Sequence, residues 1–134
     1  MMGGLGIGAN LKIWTEDEFQ EASSFIQLYK QIRPIISAGN LYRLNSLRES
    51  NYAAVQYISM DGSEAVVFVF LHTQQFASEL PRVYSQGLEH EVIYQVIGIE
   101  NEPLCFKGKN LMHVGLKVRL TGDFDSKLIR LKRL

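Results

Sequence analysis

The hydrophobic period of this chain changes once, at Gly39, and that change restricts what it can fold into more than any other feature. Before Gly39, Phe19, Ala22, Phe25, Ile26, Tyr29 and Ile32 recur at spacings of three and four, which gives a helix one broad apolar face. After Gly39, short runs rich in β-branched and aromatic residues alternate with turn residues at a period of two, nearly to Leu134. One helix followed only by strands excludes parallel βαβ units and leaves a mainly β fold: an antiparallel two-sheet β-sandwich preceded by one long amphipathic α-helix.

The helix start is specified in detail. Thr15 and Glu18 form a capping box in which each side chain satisfies an orphan backbone donor, and Trp14 and Phe19 stand at the two positions of a hydrophobic staple. The helix therefore begins at Glu16, and Pro34 followed by Gly39 ends it. Strands are expected at "NLYRL", "YAAVQYIS", "EAVVFVFLH", "RVYSQGL", "EVIYQVIG", "LCFK", "LKVRLTG" and "SKLIRLKR". Met60-Asp61-Gly62-Ser63 supplies the positive φ of a tight hairpin. Further turns are expected at Glu100 to Pro103, Lys107 to Asn110 and Gly122-Asp123.

Composition removes several function classes. The 134 residues make one domain's worth of chain, and fourteen basic residues cancel fourteen acidic ones, so no net field gathers nucleic acid or an anionic membrane. No apolar run approaches the roughly 20 residues of a membrane span, and the start lacks a signal-peptide layout. The lone Cys105, in the apolar run "LCFK", is expected to be a buried, inert thiol in a reducing compartment.

The motifs that carry chemistry elsewhere stand here in the wrong context. Gly4-Leu-Gly6-Ile-Gly8-Ala9 fits the pattern G-x-G-x-x-G/A, but a dinucleotide loop needs a strand ahead of it, a receiving helix and an acidic residue on a following strand. Only Met1, Met2 and Gly3 precede the cluster, so it reads as a permissive connection into the capped helix, and no cofactor is expected. His72, His90 and His113 lie far apart with no second ligand at metal spacing, and Asp123-x-Asp125 reads as turn chemistry beside Gly122; no metal is expected. No G-x-S-x-G elbow supports serine catalysis. Tyr42 and the stretch from Tyr52 to Tyr57 would stack on sugars if exposed together, but in a sandwich such residues fill the core. Arg43 points away from Tyr42 and Leu44, which leaves one face of that strand apolar.

In order along the chain, "LGIGANL", a tryptophan and capped helix with "YKQIRP", then "GNLYRL", "AAVQYIS", "EAVVFVF" and "NLMHVGLKVRLTGDFDS" resemble the C-terminal end of glycoside hydrolase family 36, the α-galactosidases. That family carries an N-terminal β domain, a (β/α)8 barrel and a C-terminal antiparallel sandwich. By resemblance, residues 1–38 are the remnant of the last barrel strand, its loop and its helix, and residues 39–134 are the sandwich. The resemblance implies hydrolysis of terminal α-galactosyl residues, as in melibiose and raffinose, with retention. Retention needs two carboxyl groups about 5 Å apart. In the family both are aspartates on barrel strands that precede this segment; Asp17, Asp61, Asp123 and Asp125 match no catalytic motif, and no catalytic residue is assigned here.

The expectation is a C-terminal fragment whose work is structural, with the missing N-terminal and barrel domains of its own parent as partner and a cytoplasmic home by family. Leaving Phe19, Phe25, Ile26, Tyr29 and Ile32 wet would forfeit on the order of 8–15 kcal/mol. The helix is therefore expected to dock on the sandwich, to fray, or to bury its face against another copy in a homo-oligomer. A carbohydrate-binding module and a free-standing interaction protein are the alternatives.

Overall fold

A computed structural model describes residues 1–74 and 80–134. A 3-10 turn, Leu11–Ile13, leads into helix α1, Glu16–Ala38. Strands β1 (Asn40–Asn45), β2 (Tyr52–Ile58), β3 (Glu64–Leu71), β4 (Arg82–Val83), β5 (Ile93–Ile97) and β6 (Leu104–Lys107) follow. Then come a short helix α2 (Gly108–His113) and strands β7 (Leu116–Lys117) and β8 (Ser126–Arg133). A six-stranded sheet runs in the order β1-β2-β3-β8-β5-β6, and β4 and β7 form a separate pair. Among the described residues every pairing is antiparallel.

The mainly β, helix-first architecture is the one the period change requires, but the second layer is smaller than expected. Of "RVYSQGL" only Arg82–Val83 is strand, and of "LKVRLTG" only Leu116–Lys117. Irregular chain and the short helix α2 cover the rest of the inner face, with Leu88, Leu111, Val118 and Leu120 packed against Ala54, Val67, Val69, Tyr94, Val96, Ile129 and Leu131. Polar anchors fasten this layer: the buried Gln56 side chain donates to the Gln86 carbonyl at 2.6 Å and accepts from its amide at 3.3 Å, mimicking a strand pair. The Tyr52 hydroxyl donates to the Arg82 carbonyl at 2.8 Å. The expected turn from Lys107 to Asn110 is instead the start of α2, whose Leu111 is fully buried and seats the turn of helix on the core.

Helix α1 opens as its sequence dictates. Thr15 accepts from the Glu18 amide at 3.3 Å, the Thr15 amide donates to Glu18 Oε2 at 2.7 Å, and the Trp14 and Phe19 rings lie 5.2 Å apart. Pro34 does not stop it: the helix continues to Ala38. An interior proline costs about 3 kcal/mol. Ile32 and Ile35, on either side of Pro34, are buried against Val66 and Phe68 on the outer face of the large sheet, and burying each contributes roughly 1.5–3 kcal/mol. Packing thus outweighs the local penalty. Gly39 then lets helix and sheet meet, because a Cβ there would overlap the carbonyl oxygens of Ile35 and Ile58. With α1 above and the core below, β3 is covered on both faces from Ala65 to Val69, which explains the apolar run there, while Phe70 beyond the helix is exposed.

Candidate functional site

Most acidic groups singled out in the sequence are occupied in holding turns. Asp61 Oδ1 accepts from Ser59 Oγ at 2.6 Å, Ser63 Oγ at 2.8 Å and the Ser63 amide at 3.0 Å, and these donors hold its carboxyl down at about 2. Asp123 Oδ1 accepts from the Gln74 amide at 2.7 Å, and Asp125 accepts from the Thr121 and Ser126 amides, both at 2.7 Å. Glu91 is bracketed by Lys107 at 2.8 Å and Lys109 at 2.9 Å, hydrogen bonds that likewise bring it to about 2. Asp17 lies in the first turn of α1, where a carboxylate complements the helix dipole.

One cleft is lined by two acidic residues. Glu100 and Asp125 both line a cavity of about 490 Å³, alongside Lys117, Arg119 and Lys127. Galactoside cleavage with retention needs a free nucleophilic carboxylate and a protonated partner about 5–5.5 Å from it. Asp125 is spent on its own loop, one oxygen to each backbone donor. The cleft's remaining charge is mostly cationic, which suits neither a glycosyl cation nor a protonated acid. Its geometry supports loop anchoring.

The glycine cluster forms no cofactor cradle. Gly4, Gly6 and Gly8 have open space where a Cβ would stand, and none has positive φ. Their segment runs back along α1, with the Tyr29 hydroxyl donating to the Gly3 carbonyl at 2.8 Å and Met1 and Met2 packed on the helix-sheet cluster. Among the described residues the pairings are all antiparallel, so the parallel βαβ setting of a dinucleotide loop is absent.

The aromatic stretches resolve into packing. Tyr42 and Tyr52 face the main core, and Tyr57 meets Phe68 edge-on beneath α1. Arg43 and Leu41 take the face opposite Tyr42 and Leu44, and Leu41 is exposed there. Cys105 is exposed, contrary to the expected burial. Alternation on the edge strand β6 explains this: Leu104 and Phe106 pack on the core, so the residue between them turns outward. His72 lies edge-on to Phe124, whereas His90 and His113, remote in sequence, bring their rings within 5.7 Å of each other. Spacing alone carries no signal for that pair, because the β5-β6 hairpin and α2 create it.

One uncovered feature is apolar. Only the C-terminal half of α1 is docked; Phe19 and Phe25 are 41% and 46% exposed. Beside them Met1, Leu5, Ile7, Ala22, Phe25 and Ile26 line a hollow of about 220 Å³ with no polar surface. The stripe that is buried (Leu28, Ile32, Ile35, Ile36) is rotated around the helix from the one that is left open. One helix thus carries one docked stripe and one open stripe.

The described residues form an antiparallel β module preceded by a half-covered helix, with the carboxylates of Asp61, Asp123 and Asp125 committed to its turns. Residues 52–131 match the Glycosyl hydrolase family 36 C-terminal domain, and the chain belongs to that family. It is similar to alpha-galactosidase 2 of Hypocrea jecorina, 34% identical over 99% of this chain and 17% of that protein. Alpha-galactosidase C of Emericella nidulans is 32% identical over 99% of this chain and 17% of its own length. Among solved structures, the family 36 α-galactosidase AgaB of Geobacillus stearothermophilus superposes with a TM-score of 0.82 and 30% identity, over 92% of this chain and 17% of that one. The chain therefore spans about one sixth of the length of the relatives it matches.

Proposed function

We propose that this chain is the C-terminal module of a retaining α-galactosidase that removes terminal α-galactose from oligosaccharides such as melibiose and raffinose, and that its own work is structural. In this reading residues 1–38 are the tail of a (β/α)8 barrel and residues 39–134 are the β domain that packs beside it. The half-covered helix is the observation that carries the reading. Ile32 and Ile35 are fixed on the β sheet, while Phe19, Phe25 and the hollow with Leu5 and Ile7 await a wall that the upstream barrel would supply. In isolation, the same face is the one through which two copies would associate. The proposed compartment is the cytoplasm, on the family resemblance and on an unpaired, exposed Cys105.

No residue of this chain acts in the chemistry. The carboxylates of Asp61, Asp123 and Asp125 hold turns, and a barrel site is assembled from loops of several strands, which one remaining strand-loop cannot supply. The test is direct. Incubated with an aryl α-galactoside, the 134-residue chain releases no phenol, whereas a chain extended upstream through its reading frame hydrolyses it. Turnover by the short chain in proportion to its concentration overturns the assignment. Saturable binding of galactose or raffinose by the short chain would make it a sugar-binding module instead.

A further inference from the structure

His90 and His113 stand on different elements and are carried to the same spot by the fold. His90 lies in the loop that enters β5, and His113 closes α2. Their rings are 5.7 Å apart between centroids and inclined by 67°, and both side chains are exposed. The backbone under them is tightly fixed. The Lys109 amide donates to the His90 carbonyl at 3.0 Å and the Gly108 amide to the Val92 carbonyl at 2.8 Å. A Cβ at Gly108 would overlap the Glu89 carbonyl, so α2 is seated directly on this loop. Buried Leu111 secures the other side of α2, with its carbonyl accepting from the Ser85 amide at 3.0 Å.

Two imidazoles bound to one transition-metal ion, with metal–nitrogen bonds of about 2.0–2.1 Å, hold their ring centroids on the order of 5–6 Å apart. The observed pair already has that separation. The neighbouring charges are paired with one another: Glu91 with Lys107 and Lys109, and Glu89 with Arg133 at 2.7 Å. We propose that His90 and His113 form a two-imidazole chelate for a divalent transition metal, which clamps α2 to the loop entering β5. Water completes the coordination shell. Nitrogen donors of this kind favour Cu2+ over Ni2+ and Zn2+. The pair differs from a catalytic zinc site in having two protein ligands, and from the galactosidase reading in resting on no part of it.

Calorimetric titration of the 134-residue chain with CuCl2, together with thermal melts, tests the site. One Cu2+ per chain is expected, with Tm raised by about 5–10 °C in excess metal and returned to its starting value by EDTA. His90→Ala and His113→Ala should each weaken binding by about tenfold or more and abolish the rise in Tm. Because both side chains are exposed, the variants should retain the wild-type circular dichroism and metal-free Tm. His72→Ala, at the edge of Phe124, should bind as wild type. Absence of a saturable site, survival of the site in both variants (as for an ion held at the Met1 amino group), or one metal shared by two chains would each overturn the clamp.

Discussion

Asp61 shows how one carboxylate shapes the response to acid. Its hydrogen bonds to Ser59 and Ser63 lower it from an ordinary 3.8 to about 2. The unfolded chain therefore takes up a proton first as pH falls, so the contribution of Asp61 to stability is complete above about pH 5 and is lost progressively down to about pH 2. Glu91, lowered from 4.5 to about 2 by Lys107 and Lys109, acts in the same direction over the same range. Asp61→Asn should lower Tm at about pH 6, and the gap to wild type should close as pH approaches about 2. A gap that persists unchanged at low pH would mean that the carboxylate's charge is irrelevant to the hairpin. Phe124 is the opposite kind of residue: its φ of 62° lies in a region that favours glycine, and the side chain is 77% exposed. The side-chain oxygens of Asp123, Asp125 and Gln74 accept from the amides of Gln74, Thr121 and Gly122 around it and hold the loop in that conformation.

Helix α1 divides its work along its length. Ile32→Ala should destabilise the chain by about 2–4 kcal/mol in urea unfolding, since the residue is fully buried between helix and sheet. Phe25→Ser should destabilise the isolated chain by only about 1 kcal/mol, because nearly half of the residue is already exposed. Equal losses for the two would mean that the N-terminal half is packed as tightly as the other. The helix start was fully legible from Thr15, Glu18, Trp14 and Phe19, because capping is local chemistry. The stop at Gly39 was legible as well, but the passage of the helix through Pro34 was not, because Pro34 is overruled by the burial of Ile35 on strands that a local pattern does not see. The same limit hid α2: "KGKNLMH" carries no cap, and its helical turn is held by Leu111 in the core. β1, β2, β3, β5, β6 and β8 were legible as alternating or continuous apolar runs, whereas β4 and β7 shrank to two residues each. Those segments alternate because they line the core, a pattern irregular chain also produces. Of the site, the commitment of Asp123 and Asp125 to a turn was readable beside Gly122. The meeting of His90 and His113 was not, since it depends on how a distant hairpin returns.

At the scale of the whole molecule, the sheet order decides how the parts cohere. β1, β2 and β3 form one meander and β5 and β6 form a hairpin, and β8 lies between them, pairing with β3 from Glu64↔Lys132 to Phe70↔Ser126 and with β5 from Tyr94↔Arg133 to Ile97↔Arg130. Such long-range pairing makes folding slow relative to helical proteins of similar size. A chain cut before Ser126 should lose its cooperative unfolding transition and become sensitive to dilute protease, while removal of Met1 and Met2 should not have that effect. β8 follows the other described strands along the chain, so the facing edges of the two half-sheets stay bare until it pairs with both. Without it both half-sheets would present unpaired backbone edges of the kind that recruit neighbouring chains, so this one strand guards the molecule against aggregation.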